Sequence, residues 1–336
     1  MKYDRILLEH GSGGLLSNEL VTEFFLPLLT NPCLDRLEDS AVFEFSGTRL
    51  CFTTDTYVVN PLFFPGGDIG SLAVHGTVND LAVAGGKPLF LSAAFVLEEG
   101  FPTEDLSRIV RSLGRAARDA GVFIATGDTK VVPRGAADGL FINTAGIGEI
   151  RYPPPLSVSS IRPGDAILVS GFIGDHGAAI LSSRESLALS TTLESDSAPL
   201  NGLVESLLEA SPRVHAMRDA TRGGLGGILA EMAGRSGLDM AVEEKDIPIR
   251  EEVRGVCEIT GLEALFLANE GKLVLFCPEQ DAPAILGAMK DHPLGKDGAI
   301  IGRVLENGTG RLVLTNTFGG SRVIDLPTGE LVPRIC

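Results

Sequence analysis

No two cysteines in this sequence are spaced as C-x-x-C, which argues against a zinc knuckle or a thioredoxin-type redox site. The five that occur, Cys33, Cys51, Cys257, Cys277 and Cys336, are odd in number and far apart, as expected of reduced thiols in a cytoplasmic, reducing compartment. Cys51 and Cys277 fall inside apolar runs and read as small buried hydrophobes. Positive charge is scarce: 28 Lys and Arg stand against 44 Asp and Glu, a formal net charge of −16. No nucleic acid and no anionic membrane is therefore expected as a partner. A phosphate substrate stays open, because carboxylates bind phosphates through Mg²⁺. The longest apolar stretch, around 89–97, is too short to span a bilayer. Residues 1–9 alternate charged and apolar side chains and lack the core of a secretory signal. The standard nucleotide and hydrolase motifs are missing too. Gly86-Lys87, Gly271-Lys272 and Gly295-Lys296 are followed by Pro88, Leu273 and Asp297, so none is a Walker A loop, and there is no G-x-G-x-x-G after a strand, no H-E-x-x-H and no G-x-S-x-G.

What is present is a chain of 336 residues, 44% apolar, long enough for two domains with sizeable cores. Strand and helix patterns alternate, so the expected class is α/β or mixed α+β. Strands are expected at 41–45, 50–54, 88–97, 122–126 and 140–147, and helices at 15–29, 69–84 and 103–120, the last capped by Thr103 and stopped by Gly121. Arg151-Tyr152-Pro153-Pro154-Pro155 continues neither a helix nor a central strand. The chain then restarts with strand 166–170, a glycine turn and helix 178–182. Further helices are expected at 200–210, 224–234 and 251–259, and strands at 272–277, 299–304 and 311–315. The expected division is 1–155, 156–322 and a flexible arm, 323–336, holding Pro327, Gly329 and Pro333. The eleven residues from Leu326 to Cys336 reach roughly 36 Å when extended, enough to carry a terminal thiol into a site on the same or a neighbouring subunit.

Acidic residues recur beside turns and at the ends of apolar runs: Asp39, Asp55, Asp80, Asp128 and Asp219. Carboxylates so placed can converge on one hard cation such as Mg²⁺ on a triphosphate, and each alone also fits a helix cap or a turn. Asp80 fits that alternative least, since it falls within a helix pattern. His10-Gly11-Ser12-Gly13-Gly14 and Thr221-Arg222-Gly223-Gly224 each precede a helix pattern, where backbone N–H groups can approach a phosphate or simply make a turn. Lys130, close after the Gly127-Asp128 turn, could neutralise a transferring phosphoryl group or be a solvated loop lysine. Glu270 could be a general base or a turn residue. Cys336 ends a tether, as a covalent carrier would; its own carboxylate raises the thiol pKa, and Arg334 or a basic pocket could lower it.

Several of these segments, in order along the chain, resemble the hydrogenase-maturation carbamoyl dehydratases of the HypE family. They are His10 to Gly14, Asp55 with Asn60-Pro61-Leu62-Phe63-Phe64-Pro65-Gly66-Gly67, Gly127-Asp128-Thr129-Lys130-Val131-Val132, Gly174-Asp175-His176-Gly177, Asp219-Ala220-Thr221-Arg222-Gly223-Gly224, Asn269-Glu270-Gly271-Lys272 and the ending Pro333-Arg334-Ile335-Cys336. The wider superfamily holds aminoimidazole ribonucleotide synthetase, selenophosphate synthetase and thiamine monophosphate kinase. The resemblance implies two α/β domains, a homodimer in which the N-terminal sheets join in a barrel-like interface, and ATP in a cleft between the domains. It also implies a reaction. A carbamoyltransferase, HypF, loads a carbamoyl group on the Cys336 sulfur. ATP phosphorylates its oxygen, loss of phosphate leaves an S-cyanate, and the cyano group passes to iron on HypC–HypD for a [NiFe]-hydrogenase. Carried over by motif, Asp39, Asp80, Asp128 and Asp219 would hold Mg²⁺, with Glu38 a substitute for Asp39. Asp55, Asn79, Gly127, Thr129, His10, Gly11, Gly13, Gly14, Gly223 and Gly224 would hold ATP. Lys130 would stabilise the phosphorylated intermediate and Glu270 would be the base; His176 receives no chemistry. The alternatives are a superfamily enzyme acting on a free small molecule, or a non-catalytic adaptor whose tail only docks partners. Selenophosphate synthetase is disfavoured because the glycine-rich segment lacks the cysteine that enzyme needs.

Overall fold

The computed structural model describes residues 5–152, 156–184, 191–306, 308–329, 332 and 334–336. The prolines at 153–155 and Pro333 lie outside the described residues.

After a helical N-terminal run, α1 (Leu15–Glu19), a π turn over Leu20–Phe25 and α2 (Leu26–Leu29), come β1 (Ala41–Phe45), β2 (Thr48–Tyr57) and the two-residue pair β3 (Phe63–Phe64) and β4 (Gly67–Asp68). Next are α3 (Ile69–Val83), β5 (Gly86–Glu98), α4 (Thr103–Asp119), β6 (Phe123–Val132) and β7 (Leu140–Ile150). Five of these strands form one sheet, ordered β1-β2-β7-β5-β6. On β7 Leu140, Ile142, Thr144, Gly146, Gly148 and Ile150 are buried and their neighbours are not, the period-2 signature of a sheet covered on one face. The cover is α3 and α4. The latter buries Ile109, Leu113, Ala116 and Ala117, and its cap position is Pro102 rather than Thr103. Helix α3 is apolar nearly all round because it lies between the two halves of the molecule. Asp68 caps it, accepting from the N–H groups of Gly70 (2.8 Å) and Ser71 (3.1 Å). A Cβ on Gly76 would stand 2.2 Å from Tyr57 Oη, so only glycine lets α3 settle on β2.

The second half supplies β8 (Asp165–Val169), α5 (Asp175–Ser183), α6 (Asn201–Ala210), β9 (Ala216–Asp219), α7 (Gly224–Ser236), β10 (Met240–Glu243), α8 (Glu251–Thr260), β11 (Leu273–Pro278), α9 (Ala282–Asp291), β12 (Ala299–Val304), β13 (Leu312–Thr315) and β14 (Ser321–Ile324). Its sheet runs β14-β13-β10-β12-β8-β11-β9. The central strands are continuous apolar runs because both faces are covered. From β8, Ile167 and Val169 enter one core with α7, while Ala166 and Leu168 enter the other with α6 and α9. The α/β class expected from the sequence is the class found. Cys51 and Cys277 are buried and unbonded, as read, and burial pushes both thiols up to about 12. Among the described residues no helix is long and apolar enough to cross a membrane.

The outer face of the first sheet has no cover among the described residues. Across it Phe52 and Phe90 stand opposite Ile147, and Phe90 stands opposite Phe123, which is 72% exposed. Edge strand β6 is open along almost its whole length.

Candidate active site

Three elements deliver three carboxylates to one point. Asp39 comes from the segment before β1, Asp80 from the last turns of α3 and Asp219 from the end of β9; one oxygen of each lies within 4.8 Å of the others. Thr53 Oγ1, on β2, sits 2.7 Å from Asp80 Oδ2 and 2.9 Å from the Asp39 carbonyl. Burial and the neighbouring acids lift all three carboxyls: Asp39 to about 6 despite its Arg218 partner, Asp80 and Asp219 well above the ordinary range. Asp55, on the same inner face of β2, is raised mainly by burial, with the Arg222 charge opposing. Buried acids that repel one another in this way fit a hard cation with oxygen ligands such as Mg²⁺.

The cluster is braced by cations that the sequence reading did not single out. Arg218 pairs with Asp39 and donates to the Leu37 carbonyl at 3.0 Å. Arg235 reaches Glu231 at 3.3 Å and the Arg36 and Leu37 carbonyls. Glu38 turns away from the trio, accepting from Ser157 Oγ (2.8 Å) and Val158 N–H (3.2 Å), and so ties the two halves together. Asn79 also joins the halves. It accepts from Leu200 N–H at 2.7 Å and donates to the Ala198 and Glu270 carbonyls at 3.1 and 3.3 Å.

The C-terminal tail folds inward and brings Cys336 into its own chain's cleft. Val58 N–H donates to a Cys336 oxygen at 3.0 Å, Asn60 N–H to Arg334 O at 3.1 Å, and Arg334 Nε to Val58 O at 2.8 Å. Ile335 is buried among Val59, Phe64, Ile180 and Ala268. The thiol is pushed up to about 12 by burial, with the Arg222 guanidinium opposing and Glu270, Asp55 and Asp219 adding to the rise. Arg222 Nη1 donates to Gly11 O at 2.9 Å. Glu270 is buried, its Oε1 has no hydrogen-bond partner among the described residues, and burial holds its carboxyl well above the ordinary range.

The glycines of the site are used for close approach. A Cβ on Gly13 (φ +78°) would meet Arg222 Cβ at 2.9 Å, and one on Gly14 would meet Pro327 O at 2.3 Å, so the 10–14 segment packs on both the 221–224 turn and the tail. His10 is buried and its Nδ1 accepts from Leu7 N–H at 3.0 Å. Gly223 caps α7, and Gly224 (φ +62°) would meet Leu265 O at 2.6 Å.

Asp128 and Lys130 are not brought to the trio. They lie on β6, within a strand rather than after a turn, and pair with each other at 2.5 Å in solvent. Gly127 is required there because a Cβ would meet Ala93 O at 2.3 Å, and Thr129 N–H donates to Asp128 Oδ1 at 2.8 Å. Register places Asp128 opposite Ala94 and Lys130 opposite Val96, on the uncovered face of the first sheet.

The "AIR synthase related protein, N-terminal domain" model matches residues 37–150, and the corresponding C-terminal domain model matches residues 162–315. The carbamoyl dehydratase HypE of Azotobacter vinelandii is 52% identical over 327 residues, 97% of this chain and 96% of the relative. Among solved structures, a chain of a HypE–HypF complex superposes with a TM-score of 0.87 at 46% identity, covering 92% of this chain and 99% of that one. The hydrogenase maturation protein HypE in complex with ATP superposes at 0.83 with 48% identity, covering 99% and 100%.

Proposed function

From the premise that the chain belongs to the AIR synthase related family and, within it, to the HypE carbamoyl dehydratases of hydrogenase maturation, we propose that its substrate is an S-carbamoyl group carried on its own Cys336 and dehydrated there at the expense of ATP. The observation that carries this reading is the tail: hydrogen-bonded through Val58 and Asn60, it brings the buried thiol within electrostatic reach of Arg222, of Glu270 with its unpartnered Oε1, and of Asp55 and Asp219.

The chemistry suits the groups present. Oxide is a very poor leaving group, so the carbamoyl oxygen must first receive the γ-phosphoryl of ATP. Phosphate then leaves with that oxygen, two protons leave nitrogen, and thiocarbamate becomes thiocyanate. Glu270 is the base for a nitrogen proton, because a buried carboxylate of raised pKa binds a proton more strongly than an ordinary one. The Arg222 charge acts on the sulfur and offsets negative charge at the reacting group. Asp39, Asp80 and Asp219, with Asp55 beside them, would hold Mg²⁺, which when bound screens the nucleotide's phosphates. His10 to Gly14 and Gly223-Gly224 form the neighbouring wall. Asn79 serves by holding the 198–200 and 270 backbones in place.

Lys130, Asp128, Gly127 and Thr129 enter through a homodimer. The uncovered apolar face and the open β6 edge suit a second copy, the two sheets closing into a barrel that would bring β6 of one protomer toward the other's cleft. HypF, which accompanies a relative in a solved complex, would be the donor of the carbamoyl group, and a HypC–HypD complex the cyanide acceptor. The reading goes with a cytoplasmic location for this chain.

The test is ATP turnover by protein loaded by the carbamoyltransferase. Wild type is expected to consume one ATP per loaded thiol, and Cys336→Ser none above background. Equal turnover by both would put the substrate elsewhere.

A further inference from the structure

His176 is fully buried at the start of α5, and both its ring nitrogens are engaged. Nε2 lies 2.7 Å from the Ile335 carbonyl oxygen, and Nδ1 lies 2.7 Å from Ser195 Oγ. A carbonyl only accepts, so Nε2 carries the proton. Nδ1 then accepts from the Ser195 hydroxyl, whose oxygen in turn accepts from Ser197 N–H at 3.1 Å. Each donor and acceptor in this chain is used, and the imidazole is neutral, the form that burial favours. The ring is fixed edge-on to Phe64 at 5.5 Å, and Ser195 N–H is anchored on Pro65 O at 2.8 Å.

We propose that His176 is the latch that holds the thiol-bearing tail inward, a positioning residue acting through Ile335 on Cys336. This rests on the reading that Cys336 carries the substrate. The bonds from Val58 and Asn60 hold the tail from the first half of the chain. From the second half, Arg184 reaches Arg334 O at 3.3 Å, whereas His176 grips the peptide that joins Ile335 to Cys336. A change there passes directly to the sulfur. The latch needs no charge and no covalent step, so the tail can release to meet a carbamoyl donor and return with its cargo.

The test is the alkylation rate of Cys336 by iodoacetamide, followed peptide by peptide by mass spectrometry so that Cys33 and Cys257 are counted separately. Loss of one buried hydrogen bond in His176→Ala is expected to speed the reaction roughly tenfold, and His176→Gln, which keeps a donor at the same reach, to restore most of the protection. An unchanged rate in folded His176→Ala overturns the latch. In single turnover, His176→Ala is expected to slow water loss from the carbamoylated tail without slowing its loading; equal loss of both marks a merely structural role and overturns the proposal. Should His176→Ala fail to fold, the wild type decides by ¹⁵N NMR: the Nε2–H tautomer is expected, and a protonated Nδ1 with bare Nε2 refutes the latch. Alkylation and tautomer need neither ATP nor transferase, so their outcome is separate from whether Cys336 carries the substrate.

Discussion

Asp80→Asn removes the one carboxylate of the trio with no cation among the causes of its shift. Asp39 and Asp219 both feel Arg218, whereas around Asp80 only the Thr53 hydroxyl favours the ionised form, and Asp55, Asp219 and Asp39 all oppose it. The oxygens lie within 4.8 Å, where two full charges repel by about 3.5 kcal/mol at an effective dielectric near 20. The trio is partly protonated at neutral pH, which reduces the gain from removing one charge to about 2 kcal/mol. For a chain of 336 residues that is roughly 3 °C in Tm. In EDTA at pH 8, Asp80→Asn is therefore expected to melt about 3 °C above wild type by calorimetry, while losing ATP-dependent turnover. Mg²⁺ with ATP should stabilise the wild type and leave the variant unchanged. A variant that melts below wild type in EDTA, or gains as much from Mg-ATP, would refute the claim that the trio is a repulsive cation site.

The same cluster sets a pH dependence. Folding lifts Asp39 from 3.8 to about 6, so the native state holds a proton that the unfolded chain releases more readily; this contribution, about 3 kcal/mol, is fully present below pH 4 and lost as pH rises through 6, and metal-free melts across that window should show it. Arg218→Met strands Asp39, while Glu38 keeps Ser157, Val158 and Arg235, and is expected to destabilise by about 3 kcal/mol in denaturant titration. Gly224→Ala combines φ +62° with a 2.6 Å approach to Leu265 O and should cost about 2 kcal/mol or more, visible in the same titration. Among the described residues the Lys130 ammonium pairs with Asp128 alone, so Lys130→Ala should leave Tm within about 1 °C while abolishing turnover; if the residue acts in trans, mixing it with Asp80→Asn should recover activity in hybrid dimers, and no recovery would argue against the shared site.

The long apolar and alternating segments were legible in the sequence, because β7 and α3 owe their form to periodicity and burial. Two short strands were not: β9 and β10 span four residues each, too few for a period to declare itself, although β13, equally short, was expected at 311–315. Helix α9 escaped because Pro283 and Gly287 interrupt its pattern, although a proline is harmless in the first helical turn, where it stands. Gly127-Asp128 reads as a turn by composition, and only the 2.3 Å approach to Ala93 O explains a glycine inside a strand. Within the site, Asp39, Asp80 and Asp219 could be named singly, but their convergence depends on three distant segments. Arg218 and Arg222 were hidden among the acids they neutralise, although a lone Arg inside a Gly-rich acidic segment is a usable signal. The role of His176 was invisible, since its partner Ile335 is 159 residues away.

The central claim, that the chain carries its substrate on its own last residue, is tested most directly by intact-protein mass spectrometry of wild type and Cys336→Ala after incubation with the carbamoyltransferase, carbamoyl phosphate and Mg-ATP. The account predicts that the wild type gains one carbamoyl group and then loses one water, and that the variant gains nothing. A wild type that stays unmodified while ATP is consumed would contradict it and point to a free small molecule as the substrate.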